Sequence, residues 1–252
     1  MNSSPLWIGT AGWSVPSRYA GQMPPGDSHL ARYARRLGAA EINSSFQRPH
    51  QRKTYERWAQ STPAGFRFSV KLPKTITHEQ GLADCGALLD RFMTEVAGLG
   101  DKLGVLLLQS PPKFAFEKRV AGRFFRDLRR RFDVPVACEP RHASWFTPEV
   151  SDWLATHRVA RVAADPAPVP GAGEPAGWSG LTYYRWHGSP RMYYSDYDAA
   201  ALDALGKRLE AQRQRGVPVW CIFDNTASGA ALGNALAMTA HGWPPTLLPV
   251  AG

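Results

Sequence analysis

The chain has 252 residues, 44% of them hydrophobic and 20% charged, which is enough to bury a sizeable core as one α/β domain spanning 1–252. No run is long and apolar enough for a membrane span, and the opening MNSSPLWIGT lacks the basic start and apolar core of a signal peptide, so a cytoplasmic protein with no membrane partner is expected. Cys85, Cys138 and Cys221 lie too far apart for a disulfide framework or zinc knuckle and read as buried free thiols, while the net charge of +9, carried by 23 Arg and 7 Lys, fits either a phosphate-bearing partner or a genome's compositional bias.

In chain order, short apolar runs alternate with amphipathic stretches. Leu6 to Gly12 reads as a strand, Leu30 to Leu37 as a helix, Ala39 to Phe46 as a strand, Tyr55 to Gln60 as a short helix and Phe66 to Leu72 as a third strand closed by Pro73. Leu88 to Leu99 is helical, Leu103 to Gln109 is a strand stopped by Pro111-Pro112, and Arg119 to Phe132 is a helix with Phe124, Leu128 and Phe132 on one face. Val134 to Glu139 is the fifth strand, Pro148 to His157 a helix capped by Thr147, and Arg158 to Asp165 the sixth strand. PAPVPGAGEPAGWSG, residues 166–180, cannot hold a helix and reads as a loop in place of one. Leu181 to His187, the helix Ala199 to Arg215, Val217 to Asn225 and a last helix from Gly229 to His241 complete eight strand–helix steps.

Eight such steps fit a single (β/α)8 TIM barrel whose sixth helix is replaced by the Pro/Gly-rich loop. An open doubly wound sheet is disfavoured because IGTAGW, after the first strand, has the wrong glycine spacing for a dinucleotide turn.

Polar clusters close nearly every apolar run, and barrel closure brings strand exits to one mouth. Alternation places Glu41 with Asn43, Glu139 with Arg141, and Arg185 with His187 on common faces, while Lys71, Gln109, Asp165 and Asn225 end other strands. Glu139, His187, Glu41 and Asp165 are the candidate acid–base groups. Lys71, Arg141 and Arg185 are cationic anchors for an anionic group. The competing reading pairs Glu139 with Arg185 or Lys71 in a structural ion network. His142 is a second base or an orienting group, and Trp13 and Trp145 are candidate stacking walls, although tryptophans at strand exits more often serve as packing. His78 caps a helix or reaches the mouth, while His157 and His241 fit helix C-termini.

Glu41, Glu139, Asp165, His187 and Asp224 include donors suited to a divalent metal, but no spacing specifies one. No Gly-x-Ser-x-Gly elbow supports a serine nucleophile. EKRVAGRFFRDLRRRF is first a surface helix with a solvated Arg face and second a nucleic-acid stripe.

Together IGTAGWS, EINSSFQRP, FRFSVKLPKTITHE, LGVLLLQSPPKF, CEPRHASW, RWHG and FDNTASGAALGNA resemble the domain of unknown function 72, or YecE-like, family along nearly the whole chain. The resemblance implies a TIM barrel with these segments at its mouth and supplies no reaction. The chain departs from the family pattern at Gln47, where Tyr is common, at Pro140, where Phe is common, and at Asp224, where Asn is common. The residues at the mouth point to an enzyme, hydrolytic in class, acting on a small anionic, phosphate-bearing or nucleotide-like ligand. Two alternatives compete with it: a non-catalytic barrel binding nucleic acid or a partner through Arg123, Arg126, Arg129 and Arg130, and a metal-dependent sugar isomerase or lyase.

Overall fold

Ten short strands, all but one parallel, form a ring in the computed structural model, which describes residues 4–240, 242 and 243. They are β1 (Leu6–Ala11), β2 (Ala39–Ile42), β3 (Arg67–Lys71), β4 (Leu103–Gln109), β5 (Val136–Glu139), β6 (Val159–Arg161), β7 (Ala163–Asp165), β8 (Ala176–Gly177), β9 (Thr182–Trp186) and β10 (Val219–Phe223). Hydrogen bonding runs β7-β9-β10-β1-β2-β3-β4-β5-β6-β8. Only Val162 separates β6 from β7, and its N–H donates to the Cys138 carbonyl, so the stretch 159–165 belongs to both ends of the sheet and closes the barrel. These two segments are the predicted sixth strand, bent where it changes partner.

The helices are α1 (His29–Ala34), α2 (Ser44–Gln47), α3 (Arg52–Gln60), α4 (Gly86–Val96), α5 (Lys118–Arg129), α6 (Pro148–Thr156), α7 (Ala199–Gln214) and α8 (Ala230–Ala240). Side chains of Ser28, Thr147 and Asp198 accept the orphan backbone N–H of Ala31, Val150 and Ala201 and set the starts of α1, α6 and α7. His157 is the C-cap of α6, as expected; His241 lies outside the described residues. No helix follows β7. The loop instead lays β8 antiparallel against β6, and Arg208 and Arg161 donate to its Gly173 and Gly171 carbonyls.

Strand alternation sorts the core into two bodies. Outward residues such as Ile8, Val70, Leu106, Cys138 and Cys221 pack under the helices. Inward residues Ala39, Val105, Leu107, Ala137, Tyr183, Trp220 and Ile222 fill the barrel, with Trp7 and Trp178 packed against them. All three cysteines are free and buried, as their spacing implied. The first glycine of IGTAGW belongs to this geometry: a Cβ at Gly9 would stand 2.0 Å from the Ala39 carbonyl oxygen, so only glycine lets β1 approach β2 here.

The second predicted strand ends four residues early, at Ile42. The Ser45 hydroxyl lies 2.9 Å from the Ile42 carbonyl oxygen and 2.6 Å from that of Lys71, and this local bonding turns 44–47 into α2 where apolar alternation alone predicted extension. Asn43 therefore begins a helical turn and does not share a strand face with Glu41. A π-helical turn over Thr75–Glu79 carries the KTITHE segment, and the strand–helix pattern gave no sign of it.

Candidate functional site at the barrel mouth

The inward parity that fills the barrel with Ala137, Tyr183 and Ile222 continues one pleat further to Glu139, Arg185 and Asp224, and on β2 it delivers Glu41 above Ala39. Arg185 is 0% exposed and stands at the centre. Its Nε and Nη2 donate to Glu41 Oε2 and Oε1 at 2.9 and 2.6 Å, a bidentate pair. Nη1 donates to Glu139 Oε2 at 2.7 Å and Gln109 Oε1 at 3.3 Å, and Nη2 also reaches Asp224 Oδ2 at 2.9 Å. A guanidinium has five N–H donors, and five acceptor contacts use them all.

His187 crosses the top of this cluster, with Nδ1 3.1 Å from Asp224 Oδ2 and Nε2 3.0 Å from Glu139 Oε1. Only an imidazolium can donate to a carboxylate at each ring nitrogen. Burial opposes that charge, but Glu139 and Asp224 outweigh it and raise the His187 pKa. Burial would likewise raise the Glu139 carboxyl, yet Arg185, His187 and Arg141 hold it well below the ordinary carboxylate range. Asp224 is lowered against its own burial by Arg185 and His187. Beneath them the Tyr183 hydroxyl lies 2.9 Å from both Glu41 Oε2 and Ser69 Oγ, and its ring stacks on Trp220 at 6.0 Å.

Two cations at the mouth keep donors in reserve. Arg141 approaches Glu139 Oε1 through Nε and Nη2 at 3.4 and 3.3 Å and Tyr193 Oη at 3.5 Å, leaving Nη1 unengaged. Lys71, at the end of β3, is 7% exposed; its Nζ has no hydrogen bond or ion pair and sits 4.2 Å from the centroid of the Phe46 ring, which also meets His78 at 4.9 Å between ring centroids. Burial, and next the Arg185 charge, push the Lys71 pKa from 10.5 to about 8, with Glu41, Glu139 and Asp224 offsetting this only in part.

The remaining predicted residues divide. Gln109 joins the network through Arg185. The Asp165 carboxylate accepts from Tyr197 at 2.7 Å and supports the segment after β9. Asn225 donates to the Ser195 carbonyl and to Asn234, tying that segment to α8. His142 Nδ1 accepts from the Ser144 N–H and caps the turn 143–145. Trp145 is fully buried, its Nε1 donating to the Phe114 carbonyl, and Trp13 packs edge-on against Trp58 and Phe68, so both rings serve as packing. Three buried polar atoms without a hydrogen-bond partner, Asn43 Oδ1, Ser110 Oγ and Asn225 Oδ1, lie just past β2, β4 and β10, on the mouth side.

Sequence reasoning missed Tyr183, Ser69, Phe46 and Tyr193. Inward parity on β9 and β3 was sufficient to find the first two; Phe46 and Tyr193 depend on the turns that carry them. Among the described residues no three His, Cys, Asp or Glu side chains are grouped to hold a metal ion, and the carboxylates of the cluster are committed to Arg185 and His187. No helix among those residues is long and apolar enough to cross a membrane.

Comparison with known proteins agrees with the motif resemblance. A family model described as protein of unknown function DUF72 matches residues 7–242. UPF0759 protein YecE of Escherichia coli K12 is 31% identical over 142 residues, which are 56% of this chain and 50% of that protein, so the chain's match spans half the length of that relative. UPF0759 protein YunF of Bacillus subtilis is 24% identical over 262 residues, covering 92% of this chain and 93% of that one. The crystal structure of a DUF72 family protein from Enterococcus faecalis superposes with a TM-score of 0.81 at 21% identity, covering 98% of each chain. One from Thermotoga maritima gives 0.77 at 23% identity, covering 94% of this chain and 98% of that one. At such identities the structures establish the fold.

Proposed function

From the premise that the chain belongs to the DUF72 family of proteins of unknown function, we propose that the barrel mouth is an enzyme site for a small anionic, phosphate-bearing substrate. The carrying observation is the unequal use of its cations: Arg185 has no donor left, whereas Arg141 and Lys71 do. Arg141 grips the anion. The proton-moving role goes to Lys71, because Glu139 and His187 are locked in mutual ion pairs while the Lys71 amine is uncharged in part near neutral pH. In a hydrolysis, Lys71 would take the proton of the attacking water.

Calorimetric titration with inorganic phosphate tests this reading. The wild type is expected to bind, and Arg141→Gln to lose binding while keeping its circular dichroism spectrum. Equal binding by the two proteins would overturn it.

A second reading, polyanion binding on the outer surface, is favoured by one observation. Arg119, Arg123, Arg126 and Arg130 are exposed at helical spacing along α5, although Arg129 is spent capping the Val134 and Arg158 carbonyls. Binding of a duplex oligonucleotide by this stripe should weaken linearly on a log–log salt plot and survive Arg141→Gln. A flat salt response would remove it.

A further inference from the structure

Lys71 differs from the other lysines of the chain. Lys102 donates to the Ala59 and Thr62 carbonyls, Lys74 and Lys207 pair with Glu79 and Asp203, and Lys53, Lys113 and Lys118 stand in solvent. Lys71 alone is buried with an unpartnered amine, and it sits at the end of a barrel strand, where side chains meet a substrate. Its backbone is fixed by β3 and by the Ser45 contact to its carbonyl oxygen, and its side chain lies along the Phe46 ring. The side chain is thus held in place and largely buried, with its amine against apolar surface on one side. A lysine becomes nucleophilic under these conditions, because desolvation disfavours its ammonium form.

We propose that Lys71 condenses through its side-chain amine with an aldehyde or ketone that also carries a carboxylate or phosphate, the anion being held by Arg141. The inference rests on the anion-binding reading above, admits carboxylates beside phosphates, and makes Lys71 the nucleophile in place of the base that activates water. The amine lone pair attacks the carbonyl carbon and forms a C–N bond as the C=O π pair moves to oxygen. A proton passes from nitrogen to that oxygen, and the carbinolamine loses water with uptake of one proton to give a protonated imine. Ammonium plus carbonyl becomes iminium plus water, with no oxidant or reductant. The iminium keeps the single positive charge of the ammonium, so the Phe46 ring and the nearby carboxylates face the same charge before and after.

The test uses the full chain with two probes, glyoxylate, which is anionic, and propionaldehyde, which is uncharged, each trapped with cyanoborohydride and located by peptide mass mapping. Lys71 is expected to be alkylated ahead of the exposed Lys53 and Lys118, at a rate that rises with pH through a midpoint of about 8. Arg141→Gln is expected to slow glyoxylate trapping roughly tenfold more than propionaldehyde trapping, the loss of one charge-assisted contact beyond any change in the amine that both probes share. Lys71→Arg should abolish trapping at this site and keep the fold. Trapping at Lys71 no faster than at Lys53 overturns the covalent proposal. Selective trapping in which Arg141→Gln alters both probes alike upholds the amine chemistry and overturns the anion grip instead.

Discussion

Replacing Lys71 with Met should stabilise the protein at neutral pH. The two side chains are similar in length, and Met keeps the contact with Phe46 while removing the charge of a buried side chain that has no ionic partner. The lowering of the Lys71 pKa from 10.5 to about 8, at 1.36 kcal/mol per unit, amounts to about 3 kcal/mol borne by the folded state whenever the amine is charged. Between pH 8 and 10.5 the unfolded chain holds this proton and the folded chain does not, so the wild type gains stability as pH rises across that window. Urea unfolding of both proteins at intervals from pH 7 to 10.5 isolates the effect, because Tyr and Cys groups titrate alike in the two and cancel in the difference. The Met variant should lead by about 3 kcal/mol at pH 7, and its lead should shrink by that amount by pH 10.5. A difference independent of pH, or a wild type that is more stable at pH 7, would refute the burial argument.

Arg185→Met leaves Glu41, Glu139 and Asp224 buried without their shared cation and should cost about 3–5 kcal/mol in chemical denaturation, with Arg185→Lys failing to restore it because an ammonium cannot make the bidentate pair to Glu41. A Met variant as stable as wild type would contradict the central role given to this guanidinium. His187 should carry protons on both ring nitrogens at pH 7 in 15N-detected NMR, since its pKa is raised, and the stability it contributes should be present below pH 6.5 and be lost as pH rises through its folded value. Asp224→Asn removes one of its two carboxylates and should lower that pKa; a single neutral tautomer in the wild type would refute the double pairing.

Much of this site was legible because barrel strands obey a period of two. Glu41, Gln109, Glu139 and Arg185 are inward positions that a reader of alternation can pick out, and Arg185 with His187 shares a face as expected. Depth was not legible. Whether Arg185 reaches a ligand or is consumed by carboxylates depends on how β2, β5 and β10 stagger around the ring, and that stagger comes from strand tilt and pairing register, which no single strand encodes. The same limit separates Trp145, which folds back to the Phe114 carbonyl, from a ring lining the mouth. Asn43 and Asn225 were assigned to strand ends; they lie one and two residues beyond, where side-chain hydrogen bonding decides the direction of the chain.

The ion network and the proposed chemistry are two consequences of one charge balance. Three carboxylates, Glu41, Glu139 and Asp224, face three cations that are bonded to them, Arg185, His187 and Arg141, so the cluster is formally neutral before Lys71 is counted. A fourth cation in so little solvent is in surplus, which is why its proton is loosely held although carboxylates lie nearby. The surplus also sets the ligand. A monoanion arriving at Arg141 restores neutrality with a single positive charge at Lys71, which the iminium formed by condensation carries as well as the ammonium does. The closed ring around Arg185 thus holds the strand ends together and, by engaging Glu41, Glu139, Asp224 and His187, leaves Lys71 and one nitrogen of Arg141 as the uncommitted cationic groups at the mouth.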